Sequence, residues 1–281
     1  MKGSRLRLII LAFLLLCAVL SIFVLYKENR NGLLKVVFLD VGQGDAIYIE
    51  APNGNQILID GGPSKAVLRE LSKVMPFYDR SIDVVLATHA DQDHVGGLPD
   101  VISNYNVGLF LEPGVPSDSS SYVELKGKIE NLKIKRLEAR RGMDVDLGDG
   151  AVLQILFPDR DPTGMETNTS SVVTRLVYGE NEFLLTGDSP TAIENYLVSL
   201  GGLPSDVLKA GHHGSKTSTS VSFVSVVSPE YAVISAGKDN KYGHPNQETI
   251  DTLTNFGAKI LRTDQSGRII FKSDGVNLKI K

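Results

Sequence analysis

The chain has 281 residues, of which 42% are hydrophobic, and a formal net charge of −4. This length allows a large core in one or two domains, and the apolar content argues against a disordered protein. The slightly acidic balance gives no general attraction for nucleic acid, and the single cysteine, Cys17, cannot form a disulfide within the chain.

The first feature along the chain is an apolar run from Leu8 to Tyr26, which has 19 residues without a formal charge. A helix of that length is about as long as a bilayer is thick. Basic residues are concentrated before this run, and the positive-inside rule therefore places the N-terminus in the cytoplasm. The charged residues before the run are Lys2, Arg5 and Arg7, and those directly after it are Lys27, Glu28 and Arg30.

No small-x-small cleavage site is evident before Lys27, and the apolar run is long for a signal peptide. We therefore predict that residues 1–27 form an uncleaved, single-pass anchor in the cell membrane and that residues 28–33 form a short tether. Residues 34–281 are predicted to form one extracytoplasmic domain. If the N-terminal segment is cleaved instead, the protein is secreted.

The predicted elements of that domain begin twice with strands and then alternate strands with helices. Strands are predicted at Leu34–Leu39, Ala46–Glu50, Gln56–Ile59, Ile82–Ala87, Val107–Leu111, Ile134–Glu138, Val152–Phe157, Val172–Val177, Glu182–Thr186, Val207–Ala210, Tyr231–Ser235, Lys259–Leu261, Arg268–Phe271 and Val276–Ile280. Helices are predicted at Ala66–Phe77, Leu98–Tyr105, Tyr122–Leu132, Thr191–Ser199, Ser220–Val227 and Gln247–Phe256. This pattern indicates an α+β protein in which two sheets pack face to face with helices outside both, an αββα sandwich.

The most informative segment is Thr88-His89-Ala90-Asp91-Gln92-Asp93-His94, directly after the predicted strand Ile82–Ala87. Imidazoles and carboxylates clustered at the end of a buried strand are typical of a site that holds a divalent metal and activates water. All five histidines of the chain follow apolar, strand-like runs: His89, His94, His212, His213 and His244.

Further polar groups follow other predicted strands, namely Asp188, the segment from His212 to Ser215, and His244. Strand ends at one edge of a sandwich can converge on a single cleft, and the glycines beside them let backbone approach a metal or phosphate. Gly42-Gln43-Gly44-Asp45 is open to two interpretations, a tight hairpin turn or a turn whose Gln43 and Asp45 line the cleft. Ser215 is likewise either a helix cap or a residue of the cleft.

On these motifs the chain resembles the metallo-β-lactamase fold superfamily and, within it, the hydrolase domain of the competence protein ComEC and its stand-alone relatives. The matching segments follow the family's order and cover nearly all of residues 34–281. They are Phe38–Ala46, Ile57–Gly62, His89–Gly97, Asn168–Ser171, Leu184–Asp188, Leu208–Ser215 and Gly237–Pro245. The resemblance implies an αββα fold and metal-dependent hydrolysis, most specifically of a phosphodiester such as DNA.

The resemblance also implies roles for individual residues. The implied metal ligands are His89, Asp91, Asp93, His94, Asp188 and His244, with Asp188 bridging two ions. Asp93 would orient or deprotonate the attacking water, and His213, together with His212, would contact phosphate or the leaving oxygen. Asp60 would not bind the metal itself but would orient its ligands through hydrogen bonds.

The sequence departs from the family pattern at two places. Asp91 stands where the family's second histidine usually is, and Asn168 and Ser171 occupy the region of a further histidine that has no counterpart here. More oxygen and less imidazole favours a harder ion. One or two divalent ions are expected, Zn²⁺ or Mn²⁺, with Mg²⁺ as a further option.

Three functions stay open on the sequence. The first is a nuclease acting on a phosphodiester substrate that includes single-stranded DNA. The second is a phosphodiesterase for a small, lipid or teichoic-acid phosphocholine substrate, and the third is a non-catalytic binding module. The basic run from Lys126 to Arg141 is either a solvated face or a patch that binds a phosphate backbone. No protein partner can be inferred, and the membrane is contacted through the N-terminal helix.

Overall fold

The computed structural model describes residues 2–27 and 32–281, and the chain divides into two compact units after Asn31. The first unit contains helix α1 (Lys2–Lys27), in which Arg5–Phe23 is long and apolar enough to cross a membrane. Its large apolar side chains, such as Leu8 and Phe13, are exposed. The predicted tether at residues 28–33 falls mostly on residues 28–31, which lie outside the described residues.

The second unit contains two mixed sheets. The first has the strand order β15-β14-β1-β2-β3-β4-β5-β6, and the second has the order β13-β12-β11-β10-β9-β8-β7. In chain order the strands are β1 Leu34–Phe38, β2 Ile47–Glu50, β3 Gln56–Ile59, β4 Ser81–Leu86, β5 Asn106–Glu112, β6 Lys135–Glu138, β7 Asp144–Gly148, β8 Ala151–Phe157, β9 Val173–Tyr178, β10 Asn181–Leu185, β11 Val207–Lys209, β12 Tyr231–Ile234, β13 Lys259–Arg262, β14 Ile269–Ser273 and β15 Leu278–Ile280.

Each sheet has an antiparallel half and a parallel half. Strands β3 to β6 are parallel in the first sheet, and strands β10 to β13 are parallel in the second. Parallel strands end at the same edge, so the loops that follow them lie next to one another. After β13 the chain returns to the first sheet, where β14 pairs antiparallel with β1.

Helices cover the outer face of both sheets. They are α2 Ala66–Val74, α3 Gln92–Val95, α4 Leu98–Asn104, α5 Ser120–Asn131, α6 Thr191–Leu200, α7 Val221–Val227, α8 Gln247–Asn255 and α9 Thr263–Ser266, with 3₁₀ turns at Asn168–Ser170 and Gly211–Gly214. Three buried apolar clusters separate the layers. One lies between the sheets, a second lies under α2, α4 and α5, and a third lies under α6, α7 and α8.

The alternating direction of side chains along each strand explains this layering. In β1, Val36 and Phe38 belong to the cluster between the sheets, whereas Val37 packs under the helices of the first sheet. Successive side chains of a strand point to opposite faces, so a strand buried on both faces is apolar throughout. The predicted αββα sandwich is confirmed.

Two wrong element bounds and one strand that was not predicted have local explanations. Helix α2 ends at Val74 rather than Phe77, because Met75 precedes a proline and adopts extended backbone. The final strand begins at Leu278 rather than Val276, since Asp274 accepts hydrogen bonds from the backbone of Val276 and Asn277 and forms a turn. Strand β7 was not predicted as an element, because its exposed positions carry aspartates, which are depleted in strands.

The stability of the domain depends on close backbone approach at Gly97. A Cβ atom there would lie 2.2 Å from the Gly61 carbonyl oxygen and 2.4 Å from that of Ser64. We expect Gly97→Ala to lower the free energy of unfolding by about 2 kcal/mol or more, measured by chemical denaturation with circular dichroism.

Gly127 provides the matched control, because it lies inside α5 and a Cβ atom there meets nothing within 4 Å. Gly127→Ala is expected to raise the free energy of unfolding by about 0.5–1 kcal/mol, since alanine restricts the unfolded chain and favours helix. Equal effects of the two substitutions would contradict the close packing described at Gly97.

Candidate metal centre

Side chains that follow β4, β10 and β11 meet at one edge of the sandwich. Asp188 lies at the centre, with its Oδ2 atom 3.2 Å from His94 Nε2 and 3.4 Å from His213 Nε2. Asp93 Oδ2 lies 3.3 Å from the same nitrogen of His213. One ligand atom each from Asp45, His94, Asp188 and His213 lies within 4.8 Å of the others, and all four residues are buried.

His89 and Asp91 extend this group toward solvent. The His89 ring centroid lies 4.0 Å from that of His94, and its Nε2 atom lies 3.7 Å from Asp91 Oδ2. The Asp91 side chain is 45% exposed, whereas that of His89 is fully buried. The predicted ligands His89, Asp91, Asp93, His94 and Asp188 therefore lie in one continuous group, which His213 and Asp45 also join.

A hydrogen-bond network behind the imidazoles fixes which ring nitrogen faces the centre. Asp60 Oδ2 accepts hydrogen bonds from the Thr88 hydroxyl at 2.7 Å and from His94 Nδ1 at 2.8 Å. Because the Thr88 hydroxyl gives its only proton to Asp60, it accepts one from His89 Nδ1 at 3.0 Å. Both rings thus keep a proton on Nδ1 and turn Nε2 toward the carboxylates.

His213 is oriented in the same way from the second sheet. Its Nδ1 atom donates to the Ser235 carbonyl oxygen at 3.0 Å and lies 3.5 Å from Asp45 Oδ1. His212 and His213 both have left-handed backbone, with φ of 48° and 55°. Consecutive non-glycine residues rarely adopt this conformation, which costs free energy and persists only where the surroundings determine it, as at functional sites.

Lys209 is the buried cation of the centre, and sequence reasoning missed it. Its Nζ atom pairs with Asp45 Oδ2, lies 3.6 Å from Asp188 Oδ1 and donates to the Gly187 carbonyl oxygen at 2.9 Å. Its side chain is fully buried. A lysine inside a buried parallel strand conflicts with its surroundings unless it is paired, and that conflict was the available signal.

The electrostatic surroundings attract positive charge. Burial alone would raise the pKa of Asp188, but His213, His94 and Lys209 hold it well below its usual value. Burial alone would lower the pKa of His94, yet Asp188 and Asp60 raise it well above its usual value. His213 behaves similarly, because Asp188 and Asp45 outweigh burial and raise its pKa to about 9. The carboxylates therefore favour positive charge at two buried imidazoles, as expected where a cation belongs.

The donor set fits a divalent metal ion. Within residues 32–281, the buried Nε2 atoms of His89, His94 and His213 and the buried Oδ1 atom of Asp188 have no hydrogen-bond partner. Buried polar atoms are normally paired, so unpaired nitrogens grouped with carboxylates indicate a missing partner. Imidazole and carboxylate together suit zinc, and the high share of oxygen suits manganese.

The remaining predicted residues lie around the centre. His212 Nε2 is 3.8 Å from Asp188 Oδ2, and the His244 ring is 5.7 Å from His212 and 6.5 Å from His213. Among the described residues, the buried Nδ1 atom of His244 also has no hydrogen-bond partner. Ser171 Oγ accepts from the Asp188 backbone N–H at 3.3 Å, and among the described residues the buried Asn168 Oδ1 has no partner.

Two predicted cleft residues have structural contacts. Gln43 Oε1 accepts a hydrogen bond from the Gly237 backbone at 3.0 Å, which ties the β1–β2 turn to the loop after β12. Ser215 Oγ accepts from the Thr217 backbone at 3.3 Å. Ser215 therefore supports a turn, and helix α7 begins later, at Val221.

Removing the Thr88 hydroxyl tests the network behind the imidazoles. We expect Thr88→Val to weaken Mn²⁺ or Zn²⁺ binding roughly tenfold or more, because His89 and Asp60 lose their shared partner. The measurement is titration calorimetry on the folded, metal-stripped protein. Thr88→Ser keeps the hydroxyl and should bind like the wild type, and equal binding by Thr88→Val would contradict the role of this network.

Replacing Lys209 tests the charge balance. In Lys209→Met, Asp45 and Asp188 lose a buried cation, and we expect the metal-stripped variant to lose about 3 kcal/mol or more of stability. Added Mn²⁺ should raise the denaturation midpoint more in this variant than in the wild type, because the ion replaces the lost charge. Lys135→Met, at an exposed position, is the control. An equal metal-induced shift in Lys209→Met and wild type would refute this account.

Known proteins resemble this chain in sequence and in fold. The chain is 31% identical over 277 residues to ComE operon protein 3 of Bacillus subtilis (strain 168), covering 91% of this chain and 35% of that protein. It is 32% identical over 238 residues to Competence protein ComA of Neisseria gonorrhoeae, and this match covers 84% of this chain and 32% of that protein. The chain thus spans about a third of the length of these relatives.

The fold also matches a solved structure, the metallo-beta-lactamase fold protein YhfI from Bacillus subtilis. The TM-score is 0.57 at 12% identity, and the match covers 85% of this chain and all of that one. Residues 39–238 match the sequence profile of the Metallo-beta-lactamase superfamily. Profile, relatives and fold agree, and the chain belongs to the metallo-beta-lactamase superfamily.

Proposed function

We propose that this protein is a metal-dependent hydrolase that cleaves phosphodiester bonds of single-stranded DNA outside the cytoplasm. The observation that carries the proposal is the convergence of His94, Asp188 and His213 on one point, with distances of 3.2 and 3.4 Å between the ligand atoms. Membership of the superfamily supports hydrolysis, and the name of one relative, Competence protein ComA, supports DNA as the substrate.

The residues that would hold the metal are His89, Asp91, Asp93, His94, Asp188 and His213. A divalent ion held there supplies an acidified water and draws electron density from a phosphoryl oxygen. His244, whose ring lies 6.5 Å from that of His213, would complete the set. Asp60 and Thr88 hold His89 and His94 in the required orientation, and Lys209 keeps Asp45 and Asp188 in place.

Two side chains at the opening would act on the substrate. Asp93 is 32% exposed, which lets its carboxylate accept a proton from the attacking water. His212 is 29% exposed, and its Nδ1 atom lies 3.2 Å from Thr217 Oγ1. This ring would meet a phosphoryl oxygen or the leaving oxygen at the rim.

The basic run from Lys126 to Arg141 supports a smaller substrate as the second candidate. Lys126 and Arg136 pair with the buried Glu112, Lys128 pairs with Glu124, and Arg140 pairs with Glu138. Four of the seven basic side chains of the run are therefore held in ion pairs with three carboxylates, which favours the solvated-face interpretation. A lipid or teichoic-acid phosphocholine ester, which needs few phosphate contacts, is compatible with such a surface. The unpaired imidazole nitrogens favour either enzyme over a non-catalytic binding module.

The location outside the cytoplasm rests on helix α1 and its flanking charges. The stretch Arg5–Phe23 has the length and composition of a span, and basic residues precede it. We propose a single-pass membrane protein whose N-terminus is cytoplasmic and whose metal centre is outside.

A substrate panel tests the proposed function. Full-length protein with Mn²⁺, Mg²⁺ or Zn²⁺ should cleave single-stranded DNA, and His94→Ala should lose that activity to background because the variant lacks a ligand at the centre. Lys279→Gln is the control, since its side chain is exposed and it lies in β15, the edge strand of the first sheet, outside the basic run. Near-full turnover by His94→Ala would refute the site assignment. Cleavage of a phosphocholine ester but not DNA would favour the second candidate.

A further inference from the structure

Tyr242 is an exposed aromatic residue at the rim of the metal centre. It lies in the loop between β12 and α8, and its residue is 56% exposed. Its ring is nearly parallel to that of His244, with an interplanar angle of 23° and centroids 5.8 Å apart. The His244 ring lies 5.7 Å from that of His212, whose Nε2 atom is 3.8 Å from Asp188. A short row of rings thus leads from solvent to the centre.

The loop that carries Tyr242 is held by Asn240. The Asn240 side-chain amide donates to the carbonyl oxygens of Gly237 at 2.9 Å and His244 at 2.6 Å. Its Oδ1 atom accepts from the backbone N–H groups of Tyr242 at 3.2 Å and His244 at 3.0 Å. Gly237 is also bound by Gln43. The loop therefore presents the ring without having to be ordered when a ligand binds, which lowers the entropic cost of binding.

We propose that Tyr242 is a stacking platform for a base of single-stranded nucleic acid, placed one or two nucleotides from the phosphodiester at the metal centre. This inference rests on the proposed function and narrows its substrate. Aromatic side chains beside a cleavage site bind single strands with little sequence preference, because every base has a π face. The neighbouring Lys241, whose Nζ atom is 5.2 Å from the Tyr242 ring centroid, would pair with a backbone phosphate.

Lys241 also decides between the two substrate candidates. A choline headgroup binds aromatic rings through its positive charge, which the ring quadrupole attracts. At Tyr242 the exposed Lys241 ammonium lies 5.2 Å from the ring centroid, so its charge would repel a choline cation, whereas a stacking base requires only that it move from the ring to a flanking phosphate. A neutral base flanked by anionic phosphates is attracted by the same pair, so the local charge favours nucleic acid over phosphocholine.

Equilibrium binding to metal-stripped, full-length protein tests the platform without relying on catalysis. The probes are a fluorescent thymidine oligonucleotide and an oligomer of the same length and charge with abasic residues throughout, followed by anisotropy. Wild type should bind the thymidine oligomer more tightly than the abasic one. Tyr242→Ala should lose about tenfold in affinity for the thymidine oligomer, the effect of one lost base–aromatic stack, and the loss should be confined to that oligomer.

Tyr242→Phe is the matched variant, since it keeps the ring and should bind the thymidine oligomer like the wild type. An unchanged circular dichroism spectrum in Tyr242→Ala excludes misfolding as the cause. Equal affinity of Tyr242→Ala and wild type for the thymidine oligomer, or no preference of the wild type for bases, would overturn the platform.

Cleavage assays separate this inference from the proposed function. If wild type cuts single-stranded DNA and Tyr242→Ala does so with the same KM, the platform is wrong and the proposed function stands. If wild type binds DNA through Tyr242 but cuts no DNA with any of the three metals, the proposed nuclease function is wrong and the binding site stands.

Discussion

Buried charge at the edge of the two sheets is the constraint on which the rest of the site depends. Asp45, Asp60 and Asp188 are almost completely buried, and an uncompensated carboxylate in that position would be strongly destabilising. Lys209 compensates for part of this charge, and the same carboxylates raise the pKa of His94 and His213, so positive charge is favoured beside them. A divalent cation would supply the remaining positive charge. The same charge distribution therefore stabilises the folded domain and prepares it for metal.

The two-sheet architecture makes such a concentration of charge possible. His89 and His94 follow β4 of the first sheet, whereas Asp188 and His213 follow β10 and β11 of the second. Parallel strands end at a common edge, so each half contributes ligands from rigid strand ends rather than from long loops. Backbone contacts join the elements, as Gly61 N–H donates to the His94 carbonyl oxygen at 2.7 Å. This contact brings Asp60 behind the ring that it orients.

The sequence predicts the layers and most of the site because both depend on local patterns. Strand alternation indicates the sandwich, and the segment from His89 to His94 indicates metal from residue type alone. Thr88, Lys209 and Tyr242 escaped prediction for a different reason. The role of Thr88 depends on Asp60, which lies 28 residues earlier in the chain. The role of Lys209 in the second sheet depends on Asp45, which lies in the loop between β1 and β2 of the first sheet. No periodicity marks Tyr242, whose importance comes only from the neighbours that folding brings to it.

The surface around the opening limits how a polyanion can bind. Asp91 and Asp93 are partly exposed there, and the chain carries a net charge of −4. Much of the basic run is paired with glutamates, so few lysines remain to release counterions from a phosphate backbone. Affinity for a nucleic acid then comes from stacking on Tyr242, which salt does not screen, and a bound cation would add to it by lowering the negative charge at the opening. A site built in this way would discriminate a flexible single strand from a stiff duplex, because only unpaired bases can reach an aromatic ring at the rim.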